Sequence, residues 1–308
     1  MIEISSLTKY QGKKTVISNV SFSAQRQECL GLFGMEGAGK TTLLKMIAGS
    51  LRPSSGQVNI LGFDPQTHAH QARMAVGYQP ESGINHLRMS IRDLLDYIAS
   101  LRGFQGAEKR SRVERAVTRL ELSSVLSYPI HTLPPSLKRK VAIAQAILHD
   151  PGVLLLDEPF DGLAPHQQGK LRTLIQSLTE EMTVIVASRD CEALAGICTR
   201  ALVIGGGRLL ADAPMPELQR SSRHFRAVTL ASESAPDLLA LAVLPGVAGI
   251  EEDRHSPGTV TVLAMPGHTI YPSVSALITD RYWPIHSLKL EPGRLNDVVH
   301  HLSQEASL

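Results

Sequence analysis

Long apolar runs and a secretion signal are both lacking in this chain of 308 residues. The longest apolar runs, such as Leu238–Leu244, fall far short of the roughly 18–20 residues that span a bilayer. Residues 1–6 carry neither a basic segment nor an apolar core, so we expect no signal peptide. These two absences predict a chain that is cytoplasmic and soluble in itself.

Strong charge and metal-binding cysteine patterns are lacking as well. Lys and Arg number 31 against 29 Asp and Glu, a formal net charge of +2, so we expect no nucleic-acid partner. The basic run Lys138–Lys140 is interpreted as a solvated helix face. The three cysteines, Cys29, Cys191 and Cys198, lack metal-ligand spacing and are predicted to be small buried hydrophobes.

One segment is rich in glycine and matches the phosphate-binding pattern GxxxxGK[ST] at every fixed position. Its residues, with the next one in the chain, are Gly34, Met35, Glu36, Gly37, Ala38, Gly39, Lys40, Thr41 and Thr42. Cys29–Phe33 before it is predicted to be a buried strand, and Thr41–Ala48 a helix that Gly49 ends. Backbone N–H groups in such a loop surround phosphate. We therefore predict nucleoside triphosphate binding, with Lys40 on the outer phosphates and Thr41 on Mg²⁺.

Two acids complete this predicted site. The apolar strand Val153–Leu156 is followed directly by Asp157 and Glu158. Asp157 can hold Mg²⁺ opposite Thr41, and Glu158 can polarise the attacking water beside the γ-phosphate. The alternative is a pair of surface acids at a strand end. The phosphate loop upstream favours the catalytic interpretation, in which Lys40 and Glu158 carry the chemistry.

Periodicity divides the chain into two regions. Residues 1–63 alternate like strands, and Ile91–Arg102 and Ala107–Leu120 have helical spacing. A third helix is predicted at Ser136–Leu148, with Ser136 as its N-cap. Further predicted elements are helix Leu171–Leu178, strand Thr183–Ala187, helix Cys191–Cys198 and the hairpin Ala201–Ala211. Residues 1–220 thus form one domain, with a helical insert at about 82–150.

The region after residue 220 restarts the pattern. Pro214–Arg223 is polar and is predicted to be the tail of the first domain and a linker. Residues 224–308 then follow the order βαββαβα, which predicts a small ferredoxin-like α+β domain without a catalytic constellation.

Residues 1–220 resemble the ATP-binding subunits of ABC transporters. The resemblance rests on the phosphate loop, on Ile130–Pro151 leading into Leu156–Leu163, and on the Ala201–Asp212 hairpin. It implies an α/β P-loop NTPase fold of the ABC type, an ABC-type ATPase activity, and ATP and Mg²⁺ as cofactors. Two segments, Gly77–Glu81 and Met89–Leu95, and the C-terminal domain are similar to the subgroup that serves ABC-2-type exporters.

The sequence departs from the family where a second subunit faces the nucleotide. The family completes each ATP site with a partner's signature loop, LSGGQ, but the chain has Leu133–Leu137, with Pro134 and Pro135 in place of small residues that allow close approach. Prolines bring no N–H to offer a γ-phosphate. Ala164 replaces the family's Asp, and Arg189 its His. Arg189 is either a solvated loop residue or a new γ-phosphate contact.

Two further positions differ inside the pocket. Glu81 replaces the Gln that, in the family, contacts Mg²⁺ and water, so it is either a metal-shell residue or an acid that this subgroup tolerates. The aromatic residue that usually stacks on adenine aligns with Gln11, and the adjacent Tyr10 could substitute for it.

The resemblance thus predicts an ATP-binding subunit of an ABC-2-type transporter, peripheral on the cytoplasmic membrane face. Its expected partners are membrane-spanning subunits, contacted through the insert and the loop Glu81–Ser90, and a second ATP-binding subunit with an intact signature loop. Hydrolysis is expected to be weak or partner-dependent. The alternatives are a non-hydrolysing ATP-dependent scaffold or regulator and a soluble ATPase without transport.

Overall fold

The computed structural model describes residues 1–84, 88–233, 236–253, 256 and 258–306. The chain forms two compact units. The first contains Met1–Ala213 and the chain end from Leu302, and the second contains Pro214–His301. Among the described residues, no helix combines the length and apolar character needed to cross a bilayer.

The first unit is built on two sheets. Its strands are β1 Ile2–Gln11, β2 Lys14–Ala24, β3 Cys29–Phe33, β4 Ser55–Ile60, β5 Val76–Gln79, β6 Val153–Asp157, β7 Thr183–Ser188, β8 Arg200–Gly205 and β9 Arg208–Pro214. The order β5-β6-β7-β3-β8-β9 forms a six-stranded sheet, and β2-β1-β4 forms a three-stranded antiparallel sheet. The helices are α1 Lys40–Ile47, α2 Ala69–Ala75, α3 Ile91–Leu101, α4 Gly106–Arg119, α5 Pro135–Ile147 and α6 Pro165–Thr179.

Three neighbouring strands of the larger sheet decide where the site lies. Every residue of β3, β6 and β7 is buried, as expected for parallel strands covered on both faces. β3 and β6 both pair with β7 in parallel, so the carboxyl ends of all three strands meet at one edge. The phosphate loop after β3, the acids at the end of β6 and Arg189 after β7 are therefore brought together.

Two predicted features of the first unit are corrected by the structure, and two short elements were not predicted. α5 begins at Pro135 rather than after a Ser136 cap, because the fixed φ of proline suits the first helical position. The helix predicted at Cys191–Cys198 is only a 3₁₀ turn at Glu192–Leu194. Asp190 accepts the N–H of Glu192 at 3.0 Å, which favours a tight turn over a continuing helix. The short elements α2 and β5 had no predicted counterpart.

The second unit begins with a helix where a linker was predicted. α7, Met215–Arg220, lies within Pro214–Arg223 and buries Met215 and Leu218. The remaining elements are β10 Phe225–Ser232, α8 Leu238–Ala242, β11 Val247–Glu252, β12 Thr259–Ala264, α9 Tyr271–Asp280 and β13 Ile285–Pro292, followed by α10 Leu295–Glu305, whose residues from Leu302 onward belong to the first unit. The strands form an antiparallel sheet in the order β11-β12-β10-β13. Its apolar core includes Val228, Val262 and Val274.

Candidate functional site

The phosphate loop joins β3 to α1 through backbone that requires glycine. Gly34, Gly37 and Gly39 have φ values of 157°, 76° and 108°. A Cβ on Gly34 would lie 2.2 Å from the carbonyl oxygen of Ile204, and one on Gly39 would lie 2.6 Å from Cδ1 of Ile17. Side chains at these positions would force the loop away from its neighbours, so glycine fixes its path.

Lys40 is the first residue of α1, and its ammonium group folds back over the loop. Nζ donates to the carbonyl oxygens of Gly34, at 2.8 Å, and Met35, at 3.3 Å. It also lies 3.5 Å from Oε1 of Glu158, and both side chains are less than a tenth exposed. The predicted phosphate-binding cation and the predicted catalytic acid are therefore in direct contact.

Thr41 and Asp157 present oxygen atoms side by side. Thr41 Oγ1 donates to Asp157 Oδ1 at 3.2 Å. Burial raises the pKa of Asp157, and hydrogen bonds from Thr41 and Tyr78 oppose this rise. A hydroxyl and a buried carboxylate at one point are hard oxygen ligands of the kind that Mg²⁺ prefers. The residues present therefore fit a divalent cation.

Tyr78 is a site residue that the sequence interpretation did not assign. Its hydroxyl donates to Asp157 Oδ2 at 3.2 Å, from the strand next to β6. Burial first, and the nearby Asp157 second, raise the pKa of the Tyr78 phenol, so it stays a donor. Tyr78 lies within the segment Gly77–Glu81, but its pairing with Leu155 of β6 joins residues far apart in the chain, so the sequence alone could not reveal its contact with Asp157.

Glu158 is held rigidly just beyond β6. Its φ of 47° is unusual for a residue with a side chain. Its N–H donates to the carbonyl of Ala187 at 3.0 Å, and its Oε2 accepts the N–H of Arg189 at 3.1 Å. Burial raises the pKa of Glu158, while the Arg189 N–H and Lys40 oppose the rise. The carboxylate is thus fixed at the phosphate end of the site.

Arg189 extends across the same region from the end of β7. Its guanidinium lies 3.5 Å from Glu158, 3.6 Å from Glu36, 3.6 Å from Asp161 and 4.0 Å from Glu81. The side chain is 40% exposed, so it is not locked by packing. Four acids from three segments therefore share one arginine.

A cavity of about 550 Å³ connects these groups. Glu81 lies on its wall together with the phosphate loop. The lining residues are Gln11, Lys14, Thr15, Val16, Glu36, Gly37, Ala38, Gly39, Lys40, Thr41, Thr42, Glu81, Glu158, Arg189, Gly206 and Gly207. Gly34, Met35 and Asp157 are not part of the lining, but each forms a hydrogen bond with a lining residue, Lys40 or Thr41.

The wall away from the phosphate loop has no aromatic lining residue in the described part of the chain. Gln11 lines the cavity, whereas Tyr10 is about half exposed and does not. Neighbouring residues in a strand point to opposite faces, so only one of the pair can face the cavity. Gly207 packs against β2, where a Cβ would approach the carbonyl oxygen of Val16 to 2.4 Å.

The positions that we expect to face a partner subunit lie apart from the cavity lining. Pro134 and Pro135 are exposed at the start of α5. Ala164 precedes α6, and its N–H donates to Gln167 Oε1 at 3.3 Å. Within one chain, neither segment contributes to the pocket wall.

Comparisons with known sequences point to one family. Residues 17–161 match the family model described as ABC transporter. The chain is 30% identical over 219 residues to Nod factor export ATP-binding protein I of Ralstonia nicotianae, covering 71% of this chain and 68% of that protein. It is 31% identical over 221 residues to ABC transporter ATP-binding protein NatA of Bacillus subtilis, covering 70% and 89%.

Comparisons with solved structures support the same fold. An ATP-binding subunit of an ABC transporter superposes with a TM-score of 0.64 at 24% identity, covering 71% of this chain and 92% of that one. The cbiO1 protein of Clostridium perfringens superposes with a TM-score of 0.62 at 24% identity, covering 70% and 89%.

Proposed function

The chain belongs to the family of ABC transporter ATP-binding proteins, and we propose that it serves a transporter of the ABC-2 type. In this proposal it lies on the cytoplasmic face of a membrane and couples ATP binding, and hydrolysis with a partner, to membrane-spanning subunits. One observation carries the proposal. Lys40, Thr41, Asp157 and Glu158 meet at the end of a cavity large enough for a nucleotide.

The proposed roles follow from the geometry. Backbone N–H groups of Glu36–Thr42 would bind the phosphates, and Lys40 would turn from its loop carbonyls to the β- and γ-phosphates. Thr41 and Asp157 would hold Mg²⁺, which when bound neutralises phosphate charge. Glu158, fixed 3.5 Å from Lys40, would orient and polarise the attacking water.

Glu81 and the base-binding wall complete the proposed site. Glu81 lines the cavity, where its carboxylate lies 4.0 Å from the guanidinium of Arg189. The nucleobase would lie against the part of the wall that Gln11, Val16, Gly206 and Gly207 form. Tyr10 would reach the base only by leaving the exposed face of β1.

We further propose pairing with a second ATP-binding subunit. In a pair of identical copies, Pro134 and Pro135 would face both nucleotides without an N–H at either position. A partner with an intact signature loop would supply the missing donors to the Lys40–Glu158 site. The partner's own nucleotide would face the prolines, which makes one competent and one defective site.

A groove beside the insert fits a membrane subunit. It has a volume of about 550 Å³ and lies between α2, α3 and α5. Arg73 and Arg102 are on its rim, Leu101 and Ile98 contribute apolar surface, and Tyr78 forms part of its wall. Tyr78 also bonds Asp157, so a segment docked in the groove would sense the cation site. Residues 85–87 of the expected docking loop lie outside the described residues.

We assign the second unit to the ferredoxin-like class and to assembly rather than chemistry. Its βαββαβ order and its strand order β11-β12-β10-β13 support this class. A chain ending at Ala213 should keep ATP binding by calorimetry. Loss of binding in a truncated chain that still shows a cooperative melt would contradict the assignment.

The second candidate function is an ATP-dependent scaffold that does not hydrolyse ATP. Pro134, Pro135 and Ala164 favour it, because each removes a group from the partner-facing surface. Glu158 favours the ATPase, since its carboxylate is built into the phosphate end of the cavity.

Phosphate release by the co-purified complex separates the two functions. Glu158→Gln in this subunit alone should lower the rate strongly, because the water-activating carboxylate is removed. Glu114→Gln, on the exposed face of α4, is the matched control and should leave the rate unchanged. An unchanged rate in the Glu158→Gln complex would show that this subunit only binds ATP.

A further inference from the structure

Arg189 forms ion pairs with acids around the phosphate loop, and Arg139 of α5 also lies near Glu81, Glu158 and Asp161. Glu36 comes from the loop itself, Glu81 follows β5, and Glu158 and Asp161 follow β6. Arg189 lies within 4.0 Å of all four carboxylates. In the described part of the chain, it is the cation that forms the ion pairs of Glu36, Glu81 and Asp161.

The guanidinium is held by shared charge rather than by a fitted bidentate pair. Its distances to the four acids are 3.5–4.0 Å, longer than the roughly 2.7–2.9 Å of a charge-assisted hydrogen bond. Its side chain is 40% exposed. An arginine held in this way can be drawn to a stronger acceptor without breaking a tight contact.

A terminal phosphate at Lys40 would be such an acceptor. Glu36, Glu81, Glu158 and Arg189 all line the cavity beside Lys40, so an incoming γ-phosphate lies within reach of the guanidinium. Two oxygens of a terminal phosphate can accept hydrogen bonds from the planar guanidinium at the same time, whereas each of the four acids makes only a longer single contact. A nucleoside diphosphate carries its terminal phosphate one position further from the acids.

We propose that Arg189 is an autoinhibitory latch that distinguishes triphosphate from diphosphate. This inference rests on the proposed nucleotide site. With the latch closed, Arg189 bridges Glu36, Glu81, Glu158 and Asp161. A nucleoside triphosphate draws the guanidinium onto its γ-phosphate, and this releases Glu158 for the water and Glu81 for the phosphate end of the cavity. A diphosphate leaves the latch closed.

The latch also accounts for the acid at position 81. A carboxylate next to a triphosphate would repel it, and the surrounding Glu36, Asp157, Glu158 and Asp161 would add to the repulsion. Arg189 offsets this charge in the closed state and replaces it with attraction in the open state. Glu81 and Arg189 therefore function as a matched pair, and Glu81 weakens ATP binding by competing for the guanidinium.

Calorimetric titration with ATP and with ADP, each with Mg²⁺, tests the latch without relying on turnover. The parent chain should bind ATP at least about tenfold more tightly than ADP, because only ATP gains the charged hydrogen bond between Arg189 and the γ-phosphate. Arg189→Ala should weaken ATP by about ten- to a hundredfold while leaving ADP unchanged, so the ratio falls towards one. Arg208→Ala, exposed on β9, is the matched control and should alter neither affinity.

A double-mutant cycle tests the competition between Glu81 and the γ-phosphate. Glu81→Gln should tighten ATP binding about three- to tenfold in the parent, because one competitor for Arg189 is removed. In the Arg189→Ala background, Glu81→Gln should change the free energy of ATP binding by less than about half as much as it does in the parent. If Arg189→Ala does not fold, Arg189→Lys keeps the charge without the fork and should reduce the ATP-to-ADP ratio.

The outcomes separate the latch from the site itself. If the parent binds nucleotide and Arg189→Ala weakens ATP and ADP binding equally, the latch is wrong but the proposed nucleotide site is not contradicted. An identical effect of Glu81→Gln in both backgrounds would also overturn the latch. Failure of the parent chain to bind either nucleotide would overturn the proposed function, and the latch with it.

Discussion

The phosphate-loop region and the partner-facing region of the first unit differ in what their residues can do. Around the loop, glycines shape the backbone, and Lys40 and Glu158 form a buried ion pair of 3.5 Å. At the partner-facing positions, Pro134 and Pro135 stand exposed at the start of α5 and offer no N–H. One region can bind and position a nucleotide, whereas the other lacks the donors that would complete a neighbour's site.

In the proposed function, ground-state binding and transition-state stabilisation are divided between these two regions. Binding requires the loop and the lysine of the same chain, while stabilising charge on the transferring phosphoryl group requires donors from across an interface. The two regions are joined by α5. Its Arg139 donates to the carbonyl oxygens of Glu81 and Asp161, at 3.5 Å and 3.4 Å.

Removing the lysine tests the binding half of the comparison and has the largest expected effect. Lys40→Ala deletes the charge that would face the β- and γ-phosphates, which costs about 2–4 kcal/mol, or about 30- to 1000-fold in Kd. Calorimetry with ATP and Mg²⁺ measures it. Lys45→Ala, in the last turn of α1, is the control with an exposed lysine. Equal ATP affinity in Lys40→Ala and the parent would show that the nucleotide binds elsewhere.

A buried histidine beyond the far end of α5 should make the stability of the fold depend on pH. His149 is buried just after α5, and its Nε2 lies 3.1 Å from the carbonyl oxygen of Val76 in β5. Burial, and secondarily Arg102, lowers its pKa from 6.5 to about 4. At pH values above the pKa of His149 in the unfolded chain, the neutral imidazole contributes its full stability to the fold. This contribution is lost as the pH falls towards the lower pKa of His149 in the folded chain.

Urea unfolding followed by circular dichroism checks this expectation. The free energy of unfolding should fall by about 2 kcal/mol through this residue from about pH 7.5 to about pH 5. His149→Gln does not titrate and should show correspondingly less pH dependence. If the variant and the parent lose the same stability over this range, His149 is not the buried neutral group that we describe.

The base-binding wall is expected to give the smallest effect. Without an aromatic lining residue in the described chain, the cavity offers the base no stacking partner, so ATP and GTP should bind within about threefold of each other. Gln11→Tyr should tighten ATP binding about fivefold, the lower end of base-stacking energies. Tyr10→Ala is the control on the opposite face of β1. A larger loss in Tyr10→Ala than the gain in Gln11→Tyr would place the base against Tyr10.

Local patterns predicted which residues converge around the phosphate loop. The strand Cys29–Phe33 is confirmed at both ends, and the loop, Thr41 and the acids after β6 converge as expected. Such features depend on glycine geometry and apolar runs within a few residues. The predicted helix at Cys191–Cys198 was wrong because a side-chain bond from Asp190 tightens the turn, and periodicity does not record such bonds.

The groups that the sequence could not locate are held by contacts between distant segments. Arg189 contacts acids from three segments, and Tyr78 reaches Asp157 through the pairing of β5 with β6. The choice between Gln11 and Tyr10 depends on which face of β1 turns to the cavity. The prediction of a linker at Pro214–Arg223 was wrong because α7 is helical there. This helix buries only Met215 and Leu218, so its apolar pattern is too sparse to recognise in the sequence.

Steady-state phosphate release by the isolated chain, compared with a signature-repaired variant, tests the central claim most directly. The variant carries Pro134→Ser, Pro135→Gly, Ser136→Gly and Leu137→Gln, and both chains are assayed at saturating ATP and Mg²⁺. Restoring donors should raise the rate by at least about 100-fold, as expected for one preorganised donor, with ATP affinity unchanged. Brisk turnover by the parent chain, equal to that of the repaired variant, would contradict the account.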